Sequence, residues 1–73
     1  MTPQTVIQTI NSVLGLSLSP TDTPLEASLK SLGIDSLDVF NVLVELEGVT
    51  GKKVPDEDVE KLSTIQRLAD YFS

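Results

Sequence analysis

The run Leu37-Asp38-Val39-Phe40-Asn41-Val42-Leu43-Val44-Glu45-Leu46 is apolar around most of a helix's circumference. At about 100° per residue, Val39, Val42, Leu43, Leu46 and Val49 cluster on one arc. Leu37, Phe40 and Val44 lie on a second arc, and Asp38, Asn41, Glu45 and Gly48 fill the polar remainder. A surface helix needs one apolar stripe. A helix with two is either central and covered on most sides, or it leaves one arc bare for a partner helix or groove. Covering both is difficult in a chain of 73 residues, since a domain of this size buries only about 60% of its unfolded surface. The expectation is therefore a bare patch of Leu37, Phe40 and Val44.

The rest of the chain supplies the elements that pack against the other arc. Thr2 and Pro3 form a helix start, cap followed by proline at the first helical position. Val6, Ile7, Ile10, Val13 and Leu14 follow at helical spacing, and Gly15 is a stop. Leu16 to Asp35 is a long connection with Pro20 and Pro24. A structureless loop of that length is unusual, so part of it is expected to be helical. Thr23-Pro24-Leu25-Glu26 fits a capping box there, with Leu25, Leu29, Leu32 and Ile34 pinning the loop to the core. Asp35 caps the second helix, and Asp38 adds a second acid near its positive end. Gly48 and Thr50-Gly51 weaken that helix toward its end. Pro55 to Leu62 reads as a short acidic helix capped by Asp56. Ser63-Thr64-Ile65-Gln66 is a second capping box, opening a last helix with Ile65, Leu68, Ala69 and Phe72 inward. No segment alternates with period two. The fold class is all-α: a small four-helix bundle with three main helices, one short one and a long first loop, forming one domain over 1–73.

The residue inventory narrows function. With no Cys and no His, there is no disulfide framework, no thiolate zinc site and no imidazole base for a serine or cysteine nucleophile. Ser36 has no His partner, and the sequence positions neither Lys30 nor Lys53 as its base. A thin core leaves little room for a dry reaction pocket, so a carrying or binding role is favoured over an enzyme, with no resident metal. Eleven acids face five bases, and nine of the acids lie in residues 35–73. That balance opposes nucleic-acid binding and stable association with an anionic membrane. It suits either a solvated, soluble surface or attraction of a basic partner. No apolar run approaches the roughly 20 residues of a membrane span, and the N-terminus is not a secretory signal. A cytoplasmic monomer is expected, and Met1 and the tidy end at Ser73 suggest a free-standing protein.

The most specific segment is Leu32-Gly33-Ile34-Asp35-Ser36-Leu37-Asp38. On its own, Asp35-Ser36 is an ordinary helix cap with a solvated serine. At the start of the second helix, after a long loop, in an acidic Cys-free chain, it resembles the acyl carrier protein family and its Gly-x-Asp-Ser-Leu loop. The segment Pro55-Asp56-Glu57-Asp58 and the order of helices (long, long, short, medium) extend the resemblance to the whole chain. The resemblance implies a 4′-phosphopantetheine arm on Ser36, whose terminal thiol carries acyl groups as thioesters. A phosphodiester there would meet free N–H donors and the positive end of a helix. Gly33 would ease the approach of a modifying enzyme, and Asp35 would contact the metal used by the phosphopantetheinyl transferase.

The resemblance also implies partners: that transferase, an acyl-loading ligase or acyltransferase, and synthase or condensing enzymes docking on the second helix. The matching positions are Leu37, Asp38, Phe40, Asn41, Val44, Glu47 and Gly48. Asn41 and Gly48 depart from the pattern, because many fatty-acid carriers have Glu at both, and Phe40 is bulkier than the usual aliphatic. Lys52 and Lys53 add positive charge nearby. These departures suit a specialised carrier, of polyketide, nonribosomal-peptide or modified-lipid type, or neutral drift of the surface. A peptidyl or aminoacyl carrier is the near alternative, and an unmodified helical adaptor the distant one. Between helices two and three, Val39, Val42, Leu43, Leu46, Val54, Val59, Leu62 and Leu68 form either plain core or a shelter for cargo.

Overall fold

A computed structural model describes residues 1–73. Four α-helices follow one another: α1 (Pro3–Leu14), α2 (Ser36–Thr50), α3 (Asp56–Val59) and α4 (Ile65–Tyr71), with a 3-10 turn at Leu29–Leu32 before α2. There is no strand, and the all-α bundle is as the periodicity indicates; Ser28 and Thr64 make one isolated antiparallel bridge. No helix is long and apolar enough to cross a membrane.

The first helix forms where its local signals place it. Thr2 accepts the Thr5 N–H at 3.2 Å, Pro3 occupies the first turn, and Gly15 ends the helix in the left-handed conformation. Val6, Ile7 and Ile10 are fully buried against α2 and α4. Asn11 then turns the chain. Its amide donates to the Leu18 carbonyl and accepts the Leu18 N–H, both at 2.9 Å.

The long connection is stitched down by bonds from distant residues. Ser63 carbonyl accepts the Leu29 N–H at 2.8 Å, and the Leu25 carbonyl accepts the Gln66 N–H at 3.0 Å. Leu29 and Ile34 are buried, with Leu25 and Leu32 packed against them. The helical turn in this loop starts later than the expected capping box. Thr23 directs its hydroxyl back to the Ser19 carbonyl at 2.6 Å, and Ser28 instead caps the 3-10 turn by accepting the Ser31 N–H at 3.1 Å.

Two other caps also shift by one residue. Pro55, not Asp56, is the N-cap of α3, so Asp56, Glu57 and Asp58 all fall inside its first turn, and the helix is only four residues long. Thr64, not Ser63, caps α4 by accepting the Arg67 N–H at 3.1 Å. The Ser63 carbonyl is committed to the Leu29 N–H of the loop, and the Gln66 side chain reaches forward to Asp70 at 3.0 Å.

All 13 buried residues are hydrophobic. Ile65, Leu68, Ala69 and Phe72 of the last helix and its end are among them, with Val42, Leu43 and Leu46 of α2. Val49 is not: it is 64% exposed. It sits at the edge of its arc in the last turn of α2, where residues 48–53 are all exposed.

Candidate functional site

Ser36 is the first residue of α2 and is exposed. Three local choices hold it there. Gly33 ends the 3-10 turn at φ 84°, a conformation that costs a side-chain-bearing residue strain, and its N–H donates to the Lys30 carbonyl at 3.1 Å. A Cβ at Gly33 would touch nothing in the chain, so the backbone angle is what this fold requires of the glycine. Ile34 is buried and anchors the segment. Asp35 caps α2, its Oδ1 accepting the Asp38 N–H at 2.8 Å. The N–H groups of Ser36 and Leu37 have no partner in the chain. They point along the helix axis toward the serine, where the helix end favours an anion.

Beside Ser36 a cleft of about 470 Å³ opens between the 3-10 turn, the start of α2 and α3. Leu29, Ile34, Val39, Val59 and Leu62 give it an apolar lining; Lys30, Asp35, Ser36 and Glu60 are among the polar residues around them. The volume lies within the range of small-molecule sites. The core beneath is filled, with no water-sized space between Ile10, Leu29, Ile34, Val39, Val42 and Leu68.

One wall of the cleft is weakly built. α3 has no buried residue and no side-chain cap. The Tyr71 hydroxyl bonds Asp58 Oδ2 at 3.3 Å and tethers α3 to α4. Lys52 donates to the Tyr71 carbonyl at 2.6 Å, with its ammonium 4.7 Å from the centre of the ring. Desolvation raises the Tyr71 hydroxyl pKa above its ordinary value, helped by the hydrogen bond to Asp58 and by the charges of Asp58 and Glu47.

On the outer face of α2, Leu37, Phe40 and Val44 are 70%, 55% and 51% exposed, so the second arc is bare. Asn41 and Gly48 are exposed, and Asp38 is half-exposed. Glu47 faces elsewhere: its carboxylate accepts the Val54 N–H at 2.7 Å and closes the α2–α3 loop. The structure thus gathers Gly33, Asp35 and Ser36 at one end of α2 and the patch along its flank. Lys30, Glu60, Ser28 and Ser63 join the cleft, although the sequence does not mark them as site residues. For Lys30 a signal was present, since it is the only base in the first half of the chain.

Residues 4–72 match the family model described as "Phosphopantetheine attachment site". Over 41 residues the chain is 50% identical to an acyl carrier protein of Chlorobium phaeobacteroides (strain DSM 266 / SMG 266 / 2430). That stretch is 56% of this chain and 53% of the relative, so the match spans about half the length of each.

Proposed function

The chain belongs to the phosphopantetheine-attachment family, and on that premise we propose that it is an acyl carrier whose arm is joined to Ser36. Covalent 4′-phosphopantetheine is the prosthetic group of this family, and it supplies a thiol that holds an acyl group as a thioester. The observation that carries the assignment to Ser36 is its place: an exposed hydroxyl on the first residue of α2, at the edge of an apolar-lined cleft.

The residues have separable tasks. Ser36 Oγ takes phosphopantetheine from coenzyme A: its oxygen forms the new bond to phosphorus, 3′,5′-ADP departs, and the hydroxyl proton passes to a base of the transferase. Asp35 fixes the end of α2 by its bond to Asp38, and it is the residue expected to contact the transferase's metal. Gly33 sets the backbone that delivers the serine to the surface. The unpartnered N–H groups of Ser36 and Leu37 favour a phosphodiester at this spot.

Residues 1–73 act as one carrier domain that is not itself an enzyme. The phosphopantetheinyl transferase, an acyl-loading ligase or acyltransferase, and synthase or condensing enzymes dock transiently on α2. Leu37, Phe40 and Val44 supply the apolar contact, with Asp38, Asn41 and Gly48 beside them. Such contacts are small, quick to form and quick to release. Asn41, Gly48 and Phe40 favour a specialised pathway, of polyketide or related type, over the main fatty-acid carrier. The carrier works in the cytoplasm as a monomer.

Intact mass before and after incubation with coenzyme A, magnesium and a broad-specificity transferase tests the reading. One phosphopantetheine should be gained, and Ser36→Ala should gain none. A folded protein that gains nothing would point instead to an unmodified helical adaptor.

A further inference from the structure

We propose that Lys30 is the cationic contact for the phosphodiester at the root of the arm, an inference that rests on attachment at Ser36. Among the residues lining the cleft, Lys30 is the only base, and it shares that lining with Ser36, Asp35 and Glu60. Its ammonium is also uncommitted. Of the other bases, Lys52 bonds the Tyr71 carbonyl, Lys61 pairs with Asp58 at 3.4 Å, and Arg67 donates to the Lys61 carbonyl. The remaining one, Lys53, does not line the cleft.

The charge balance at the site needs such a group. A phosphodiester on Ser36 brings a full negative charge next to Asp35 and near Asp38 and Glu60. The end of α2 offsets part of that repulsion. Lys30 offsets more, because a cation beside a phosphate makes a charge-assisted hydrogen bond. The lysine is also well placed to act. Its backbone sits in a 3-10 turn fixed by the Ser28 cap, by Gly33 N–H to the Lys30 carbonyl at 3.1 Å, and by Ile34 N–H to the Leu29 carbonyl at 3.0 Å. Only the flexible stem has to move. Held this way, the arm leaves Ser36 toward the cleft and not toward open solvent.

The test uses apo and holo forms of the wild type, Lys30→Gln and Lys30→Arg, each checked by intact mass. The thermal midpoint of holo relative to apo is measured for each, with the ³¹P resonance of the phosphodiester. Loss of an exposed pair lowers the holo-minus-apo difference in Lys30→Gln by about 2–4 °C, whereas Lys30→Arg keeps it. The ³¹P resonance should move in Lys30→Gln, and salt at about 1 M should erase the contrast between variants. Each apo variant reports any direct effect on folding. Equal holo-minus-apo differences in all three proteins, with an unmoved ³¹P resonance, would overturn the Lys30 contact while leaving Ser36 in place. Absence of any arm on Ser36 would overturn both.

Discussion

The carboxylate of Glu47 accepts the backbone N–H of Val54 at 2.7 Å and ties the last turns of α2 to the chain that leads into α3. The resemblance to the acyl carrier protein family implies a partner contact at Glu47. Its carboxylate has work within the chain instead, and the outer face of α2 is correspondingly more apolar.

Replacing Glu47 should therefore disturb the fold. Glu47→Lys removes the acceptor and leaves the half-buried Val54 amide unpaired, at a cost of about 1–3 kcal/mol. Urea unfolding reads the loss, and faster hydrogen exchange at the Val54 amide locates it. Unchanged stability would return Glu47 to a purely external role.

Ser36→Ala should abolish attachment of the arm and leave the bundle intact. The hydroxyl makes no cap, since Asp35 performs that task, so the stability change should stay within about 0.5 kcal/mol. Intact mass and a thermal melt on the same sample check both halves.

Phe40→Ala should weaken docking of a partner enzyme about tenfold, the effect of losing about 1.4 kcal/mol from an aromatic contact. Phe40 is 55% exposed, so the melt should hardly move. Affinity measured by titration of the holo carrier against its transferase, or against a synthase that accepts it, gives the answer.

Leu46→Ala should act in the opposite sense. Leu46 is fully buried among α2's core residues, and truncation costs about 2–5 kcal/mol. A domain of this length has roughly 4–11 kcal/mol in total. Chemical denaturation should show a protein near the edge of folding at 37 °C, where Val49→Ala, at an exposed position, should not.

Tyr71 makes stability fall at alkaline pH. Its folded pKa lies above the ordinary value of 10.0, so the folded state holds the phenol proton more tightly than the unfolded state. The contribution is complete below pH 10.0 and is lost as pH rises through the folded value. The chain has one Tyr and no Trp, so phenolate absorbance reports this group alone. Tyr71→Phe should remove that part of the alkaline loss.

Much of this fold is written in local signals. Thr2-Pro3 and Gly15 bound α1, and Asp35 starts α2, because a cap needs only neighbours in sequence. The buried faces of α1 and α4 follow from helical spacing. The 3-10 turn at Leu29–Leu32 is not legible from local signals, because Ser63 and Gln66 bond the loop from far along the chain. Asp56 and Ser63 were each one residue from the true cap, where two polar residues or a proline compete for one position. At the site, Gly33, Asp35 and Ser36 were legible as a motif. The cleft is not, since it arises only when the 3-10 turn, α2 and α3 come together, and only that folding makes Lys30 and Ser36 share one lining.

The bonds from Ser63 and Gln66 to the long loop have a consequence for synthesis of the protein. The turn that presents Ser36 is completed by residues made well after it. A chain still emerging from the ribosome has its serine in view but not the platform beneath it. On the proposed attachment at Ser36, a modifying enzyme would meet a finished surface only once α4 has begun to form.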